Sequence, residues 1–521
     1  MTAGRQQRVT KEINWVVDED GSVNGYMKDP RTLAVLPGLN AAGDKLVNPT
    51  SNAEIAVGGG GEMAWLNIAN RGESPVGAVT LTSPRLRAIS RRQYIAREST
   101  TSVKAVFANK ISPASAESDG PAGVTIIGCA VELNGVTTKM TFAGADGVAL
   151  PAGTVDLLTD AATVTITKGD AFYIRVIFDT ATGFIGDGMN WVGDTVLAYD
   201  PANENNQLYL SGPLTTPTGG TTSNSMGPVM VIGLVPEGTE ALLGVGDSIG
   251  RGVQDVNVIS TGTEGGGPFR RAAAAATMPC AVYATAGKTL TTVSANNSLL
   301  LSMAKYHTYT WLQLGTNDVT GANLAAMQTT YGTVWTALKN AMVGAKHLSQ
   351  LSILPRVATT DGTTTLANQT PAAGFAGGST RDGLNMWFPS KVADGTIDLF
   401  LDWSASVEDP TDANKWALRS FATTLAGAYA SGAVVSLNKP PKYGEMIVLN
   451  PATTPSTGTS MARSYTGTAS PFSVTMSHNP AVAAATNDPV KATPSIDGIH
   501  PSGAIYKEKL VPALLAGFVA R

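Results

Sequence analysis

Ser248 stands in Gly246-Asp247-Ser248-Ile249, directly after the apolar run 241–245 and before a predicted helix. A serine on a tight strand-to-helix turn exposes its hydroxyl at the carboxyl edge of a sheet. Backbone N–H groups there face any negative charge that develops. An ordinary helix-capping serine would share this local sequence. His500 is one of four histidines, with His307, His347 and His478, and it alone follows an acidic residue at three positions, in Asp497-Gly498-Ile499-His500. At that spacing a carboxylate and an imidazole can meet on one turn, where the carboxylate fixes the ring tautomer and stabilises the imidazolium. Gly287, in Ala284-Thr285-Ala286-Gly287-Lys288, would let the backbone approach a ligand closely. Asn317, in Gly315-Thr316-Asn317-Asp318, could donate a hydrogen bond into a crevice at a strand's carboxyl end. A loop glycine and a turn asparagine are the plainer readings of these two taken singly.

The four motifs in this order resemble the SGNH (GDSL-type) hydrolase family, over about residues 240–521. The resemblance implies Ser248 as nucleophile, His500 as general base and then acid, and Asp497 as the group that orients His500. It implies an oxyanion hole of the Ser248 and Gly287 backbone N–H groups and the Asn317 side chain. Asp247 and Asp318 would brace turns, and neither metal nor cofactor is required. Gly246-Asp247-Ser248-Ile249-Gly250 also fits the Gly-x-Ser-x-Gly elbow of α/β-hydrolases. Those enzymes take their acid from a separate loop, and the Gly-x-Asn-Asp block has no role in them. The chain departs from the family pattern in Ile249, where leucine is usual. It also has a long stretch before His500, whose surplus is expected in loops or a hairpin insertion at 359–380 and 440–477.

These positions need a sheet to hold them. Runs 241–245, 281–284, 309–314, 351–354 and 397–401 are predicted strands. Residues 323–348 carry helical spacing through Leu324, Met327, Tyr331, Trp335, Leu338 and Met342. Alternating strands and helices predict a parallel sheet covered on both faces. The last element, 503–519, reads as a helix interrupted at Pro512. Upstream, 124–127, 138–142, 163–166, 171–176 and 229–235 are β-branched or aromatic segments separated by Gly, Asp and Pro, the pattern of an antiparallel sandwich. The expected fold class is an SGNH-type three-layer α/β/α domain with a parallel sheet, preceded by an all-β, sandwich-like domain. The expected domains are a mixed segment 1–100, a sandwich 101–238 and a catalytic domain 239–521. Within the first segment, residues 18–21 read as a turn. Gly58 to Gly61 precede Glu62 where a phosphate-binding loop needs lysine, and so read as a flexible turn. Arg85, Arg87, Arg91, Arg92 and Arg97 are expected on a solvated face.

Composition narrows the function classes. The chain has 521 residues, 43% hydrophobic, with 56 Gly and 29 Pro. Charged residues are 15%, against about 25% in typical soluble proteins. Disorder and collagen are excluded, and a turn-rich globular chain of about three domains is expected. A net charge of −4 provides no strong field for nucleic acid, and no nucleic-acid partner is expected. No apolar run nears the ~18 residues that span a bilayer. Residues 1–14 lack the apolar core of a secretory signal. Localisation stays open among cytoplasmic, virion-associated and extracellular. Cys129 and Cys280 match no zinc or redox spacing and are expected as lone buried thiols. Trp387, Phe388, Trp403 and Trp416 are expected in core or rim packing rather than as sugar platforms. The leading expectation is a serine esterase that removes O-acetyl groups from carbohydrate through an acyl-enzyme. A broad acyl-esterase or lipase, or a phage tail or adhesion protein carrying such a deacetylase domain, are the alternatives. An acylated carbohydrate is the expected partner, and a homo-oligomeric state stays open.

Overall fold

The computed structural model describes strands 13–17, 23–28, 35–39 and 46–47, and residues 62–519 apart from 187–192, 205, 223–225, 256–265, 345, 443–444, 450–458, 467–468, 477–479 and 481–482. The turn at 18–21, the Gly58 to Gly61 run and His478 lie outside the described residues. The chain divides into two compact units, Met1–Met63 and Ala64–Arg521. In the first, Ile13–Val17, Val23–Lys28, Val35–Leu39 and Leu46–Val47 pair successively as an antiparallel four-stranded sheet.

The second unit begins with two antiparallel sheets that share one core. One sheet runs Val136–Met140, Thr125–Leu133, Ala171–Asp179, Arg87–Ile95, Thr195–Tyr199, Thr221–Thr222. The other is built around Thr100–Phe107, Met230–Pro236 and Met63–Asn67. Alternation places Phe172, Ile174, Val176 and Phe178 on the inner face, against Val103, Ala105 and Phe107 of the facing sheet. Residue 100 is therefore no boundary in this unit, because Met63–Asn67 and Arg87–Ile95 pair within these sheets.

The arginine cluster is not solvated as expected. Arg91 and Arg92 are buried, and Arg87 binds Asp179 and Glu204. Arg91 lies across from Arg175 in register, and Glu132 bridges them at 2.8 and 2.7 Å. Burial acts to raise the Glu132 carboxyl, but hydrogen bonds from Arg91, the Gly212 N–H and Arg175 overcome it and hold it at about 2. Buried ions persist when each is matched in this way.

The α/β half follows. Five parallel strands stand in the order Cys280–Ala284, Leu242–Gly246, Tyr309–Gln313, His347–Leu351, Leu399–Leu401. Alternate residues face opposite sides. Leu243, Ala281 and Leu312 meet Leu299, Tyr331, Trp335 and Phe388 of the helices on one side. Leu242, Val282 and Trp311 meet Phe269, Ala272 and Leu514 of those on the other. Burial on both faces explains why most residues of these strands are apolar, the polar exceptions being concentrated in Tyr309–Gln313 and His347–Leu351.

The long helix is Leu324–Ala341 and stops short of the expected 348. Met342 turns extended, Gly344 takes φ +59°, and 347–351 forms the next strand, earlier than expected. In the terminal helix Tyr506–Leu510 is a π-turn directly before Pro512, which has no N–H to continue a regular ladder. Among the described residues no helix is long and apolar enough to cross a membrane.

The two halves are continuous. Residues 69–74 lie along the outer edge of Cys280–Ala284: the Cys280 N–H donates to Ala69 O and the Val282 N–H to Gly72 O, each at 2.9 Å, and the Ser74 N–H donates to Val282 O at 3.0 Å. Met230 and Ile232 point into the α/β core. Between Trp416 and the His500 loop lies a six-stranded antiparallel sheet from Ala422–Thr424 to Pro489–Thr493, with its own core of Leu425, Val435, Ile447 and Val490. Cys129 and Cys280 are both buried. Phe388, Trp403 and Trp416 are fully buried, and Trp387 stacks on Trp335.

Candidate active site

Three strand ends and one loop converge. Leu242–Gly246 ends on Asp247, whose Oδ1 accepts the Ile249 N–H at 2.8 Å and caps the short helix Ser248–Arg251. Gln313, at the end of the neighbouring strand, accepts the Gly250 N–H at 2.9 Å and the Asp247 N–H at 3.3 Å. The Tyr506 hydroxyl donates to the carbonyls of Ile249 and Val253 at 3.1 and 3.2 Å. The turn bearing Ser248 is thus fixed from both sides. Burial raises the Asp247 carboxyl to about 6, against the pull of the Ile249 N–H.

The strand Pro489–Thr493 runs into the loop that carries Asp497 and His500. Asp497 Oδ1 accepts the backbone N–H of Ile499 and of His500, both at 2.9 Å, closing the turn. Its Oδ2 accepts from His500 Nδ1 at 2.6 Å and from Gln254 Nε2 at 3.1 Å. A carboxylate only accepts, so Nδ1 carries the ring proton and Nε2 is the free acceptor. His500 Nε2 lies 2.8 Å from Ser248 Oγ. Burial acts to raise Asp497, but the His500 contacts and the two N–H groups outweigh it and hold the carboxyl at about 2. The carbonyl of Gly498, a residue at φ +74°, accepts the Val357 N–H and the Trp416 Nε1–H, both at 3.0 Å. A Cβ there would stand 2.0 Å from Val357 O, so only glycine fits.

Opposite this loop, the Lys288 N–H donates to Thr285 O at 3.1 Å, closing a turn with Gly287 at φ +80°. Positive φ at the third position marks a type II turn. The bond leaves the Gly287 N–H outside it, at an exposed position. Asn317 Nδ2 donates to Lys288 O at 3.0 Å, so its amide is fixed on that same turn with a second N–H to spare. Asp318 accepts the N–H groups of Leu290 and Thr291 at the start of the helix Leu290–Ala295, a bracing position; burial raises its carboxyl.

The structure therefore joins Ser248, His500 and Asp497 in one hydrogen-bonded chain, and joins Gly287 to Asn317 through Lys288. Sequence reasoning missed Gln254, Gln313, Trp416, Tyr506 and Lys288. Gln313 had a visible signal, a polar residue inside an apolar strand. Gln254 had none, being a non-glycine at φ +66° whose partner lies far along the chain. Among the described residues no group of three or more His, Cys, Asp or Glu side chains is gathered to hold a metal ion.

No family model matches the chain, and no curated protein matches it. Among solved structures it is similar to a carbohydrate esterase family 2 enzyme with a carbohydrate binding domain from Corynascus thermopiles (Myceliophthora fergusii). The identity is 13% over 66% of this chain and 89% of that one, with a TM-score of 0.25. It is also similar to a family two carbohydrate esterase from Clostridium thermocellum in complex with cellohexaose, at 11% identity over 65% of this chain and 87% of that one, with a TM-score of 0.24. Neither fold nor activity follows from likeness at this level, so the functional reading rests on side-chain geometry.

Proposed function

We propose that the chain is a serine carboxylic ester hydrolase of SGNH type that removes O-acetyl or other short acyl groups from carbohydrate. The observation that carries the reading is the continuous chain from Asp497 Oδ2 through the His500 ring to Ser248 Oγ, at 2.6 and 2.8 Å. In this reading Ser248 Oγ attacks the ester carbonyl as its proton passes to His500 Nε2. Asp497 holds the ring and stabilises the imidazolium. The oxyanion forms against the Ser248 and Gly287 N–H groups and the Asn317 amide. As the bond to the sugar breaks, His500 protonates the departing sugar oxygen, which leaves as a hydroxyl and an acyl-serine remains. Water, deprotonated by His500, releases acetate and restores Ser248.

The carbohydrate preference rests on the family resemblance and on the β half that precedes the α/β half. Acetate release from acetylated plant and bacterial polysaccharides, with Ser248→Ala as the blank, tests the assignment. Wild type should release acetate and the variant should lose at least about 10³-fold in rate. Equal release by both would remove Ser248 from the reaction. A nitrophenyl ester series separates the readings of substrate: a preference for C8 chains or longer would replace the acetyl-carbohydrate assignment with a broad acyl-esterase.

A further inference from the structure

The turn Thr285–Lys288 does not stand on the α/β half alone. Thr285 Oγ1 donates to Ser112 O at 2.6 Å, and Lys288 Nζ donates to Ser115 O at 3.3 Å. Both acceptors belong to the loop between two strands of the β half, Lys110–Ile111 and Ser118–Asp119. Ala114 of that loop lies 3.4 Å from where a Cβ on Gly287 would stand. The loop tip 114–116 is exposed beside the exposed Ala286 and Gly287, yet Lys288 is 1% exposed.

The Lys288 ammonium lies 5.3 Å from the centre of the Tyr283 ring and faces Glu117. Glu117 is committed elsewhere, accepting from the Tyr283 hydroxyl, Ser298 Oγ and the N–H groups of Leu299 and Leu300. Burial pulls the lysine down to about 8, with Glu117 acting in the opposite direction. A buried ammonium is costly, and an apolar side chain of similar length would fill the same space without that cost. Its retention calls for a use.

We propose that Lys288 is a positioning residue that ties two of the three oxyanion donors, Gly287 and Asn317, to the loop 112–117, making the β half a working part of the esterase site. Its ammonium holds Ser115, its N–H closes the turn that presents Gly287, and its carbonyl orients Asn317. The inference rests on the esterase reading and adds to it the residues that aim the oxyanion hole.

The test uses the full chain and nitrophenyl acetate. Lys288→Met should lower kcat about 10–100-fold with KM within about twofold, since misplaced donors weaken the transition state and not the substrate complex. Lys288→Arg, which can still donate to Ser115 O, should recover most of that loss. Thr285→Val, which removes the second anchor and should fold even if Lys288→Met does not, should lower kcat about 3–10-fold. Thermal unfolding checks that each variant is folded. Folded Lys288→Met and Thr285→Val with wild-type kcat would overturn the positioning role while leaving the esterase reading intact. So would a loss expressed in KM alone. Wild-type protein that neither hydrolyses the ester nor is labelled at Ser248 by a fluorophosphonate would overturn both.

Discussion

On the Gly287 side of the site, the turn rests on a buried lysine and on a loop from the other half of the unit. On the His500 side, the working residues sit on a partly exposed loop, bonded within itself and to Gln254, Val357 and Trp416. Lys288 is 1% exposed, whereas the side chains of His500 and Asp497 are 18% and 38% exposed. The contrast matches what each wall must do. Oxyanion donors stabilise charge best when they need no rearrangement at the moment of reaction, and a turn anchored through the buried Thr285 and Lys288 provides that. In the proposed mechanism the imidazole passes a proton from Ser248 to a leaving group, so it needs a fixed tautomer and an open face. Asp497 supplies the first through Oδ2 and the loop's exposure supplies the second.

The largest effect that separates the walls is expected at Asp497. Asp497→Asn keeps the shape of the loop but favours the wrong ring tautomer, and should lower kcat about 10⁴-fold with normal folding. Acetate-release kinetics would measure it, and a loss under tenfold would mean that the exposed wall does not set the tautomer. Asn317→Ala removes one donor from the buried wall and should cost about 10²–10³ in kcat, with KM nearly unchanged. A change in KM alone would make Asn317 a substrate contact, and the walls would no longer divide the labour as described.

Smaller effects, one a gain and one the lifting of a penalty, are expected in stability against pH, and both raise stability as pH rises. Asp497, held at about 2 in the fold, contributes stability that is present above its unfolded value of about 4 and lost as pH falls through about 2. Lys288, held at about 8, gives a slope of the same sign by another route. Its buried ammonium destabilises fully below about 8, and the penalty lifts as pH rises towards its unfolded value of about 10.4. Urea unfolding of wild type against Asp497→Asn between pH 5 and 2, and against Lys288→Met between pH 7 and 10, should show these two slopes. A flat difference curve in either window would remove that residue's part in the contrast.

The motifs at Ser248, Asn317 and His500 were legible because the chemistry of each is local: a serine after an apolar strand, an acid three residues before a histidine. The parallel strands were legible for a related reason, since burial on both faces leaves short unbroken apolar runs. Pairing across distance was not. Nothing near Lys288 indicates Ser115, which lies 173 positions away. The arginines at 87 and 91 read as surface because charge usually means water, and their partners, Asp179, Glu204 and Glu132, come from later in the chain. The sheet between Ala422–Thr424 and Pro489–Thr493 was visible only as a surplus of Thr, Gly and Pro, because its short strands alternate weakly.

The run 69–74 has a bearing on how such a chain can be inherited. It supplies the outermost hydrogen bonds of the parallel sheet from a position more than 160 residues before that sheet begins. A chain starting at residue 239 would present the edge of Cys280–Ala284 bare, ready to pair with another molecule. The α/β half therefore could not be lent to a new protein as a cassette. Any exchange of the β half by recombination would have to bring a replacement for this run, or the recipient would carry a bare edge open to aggregation.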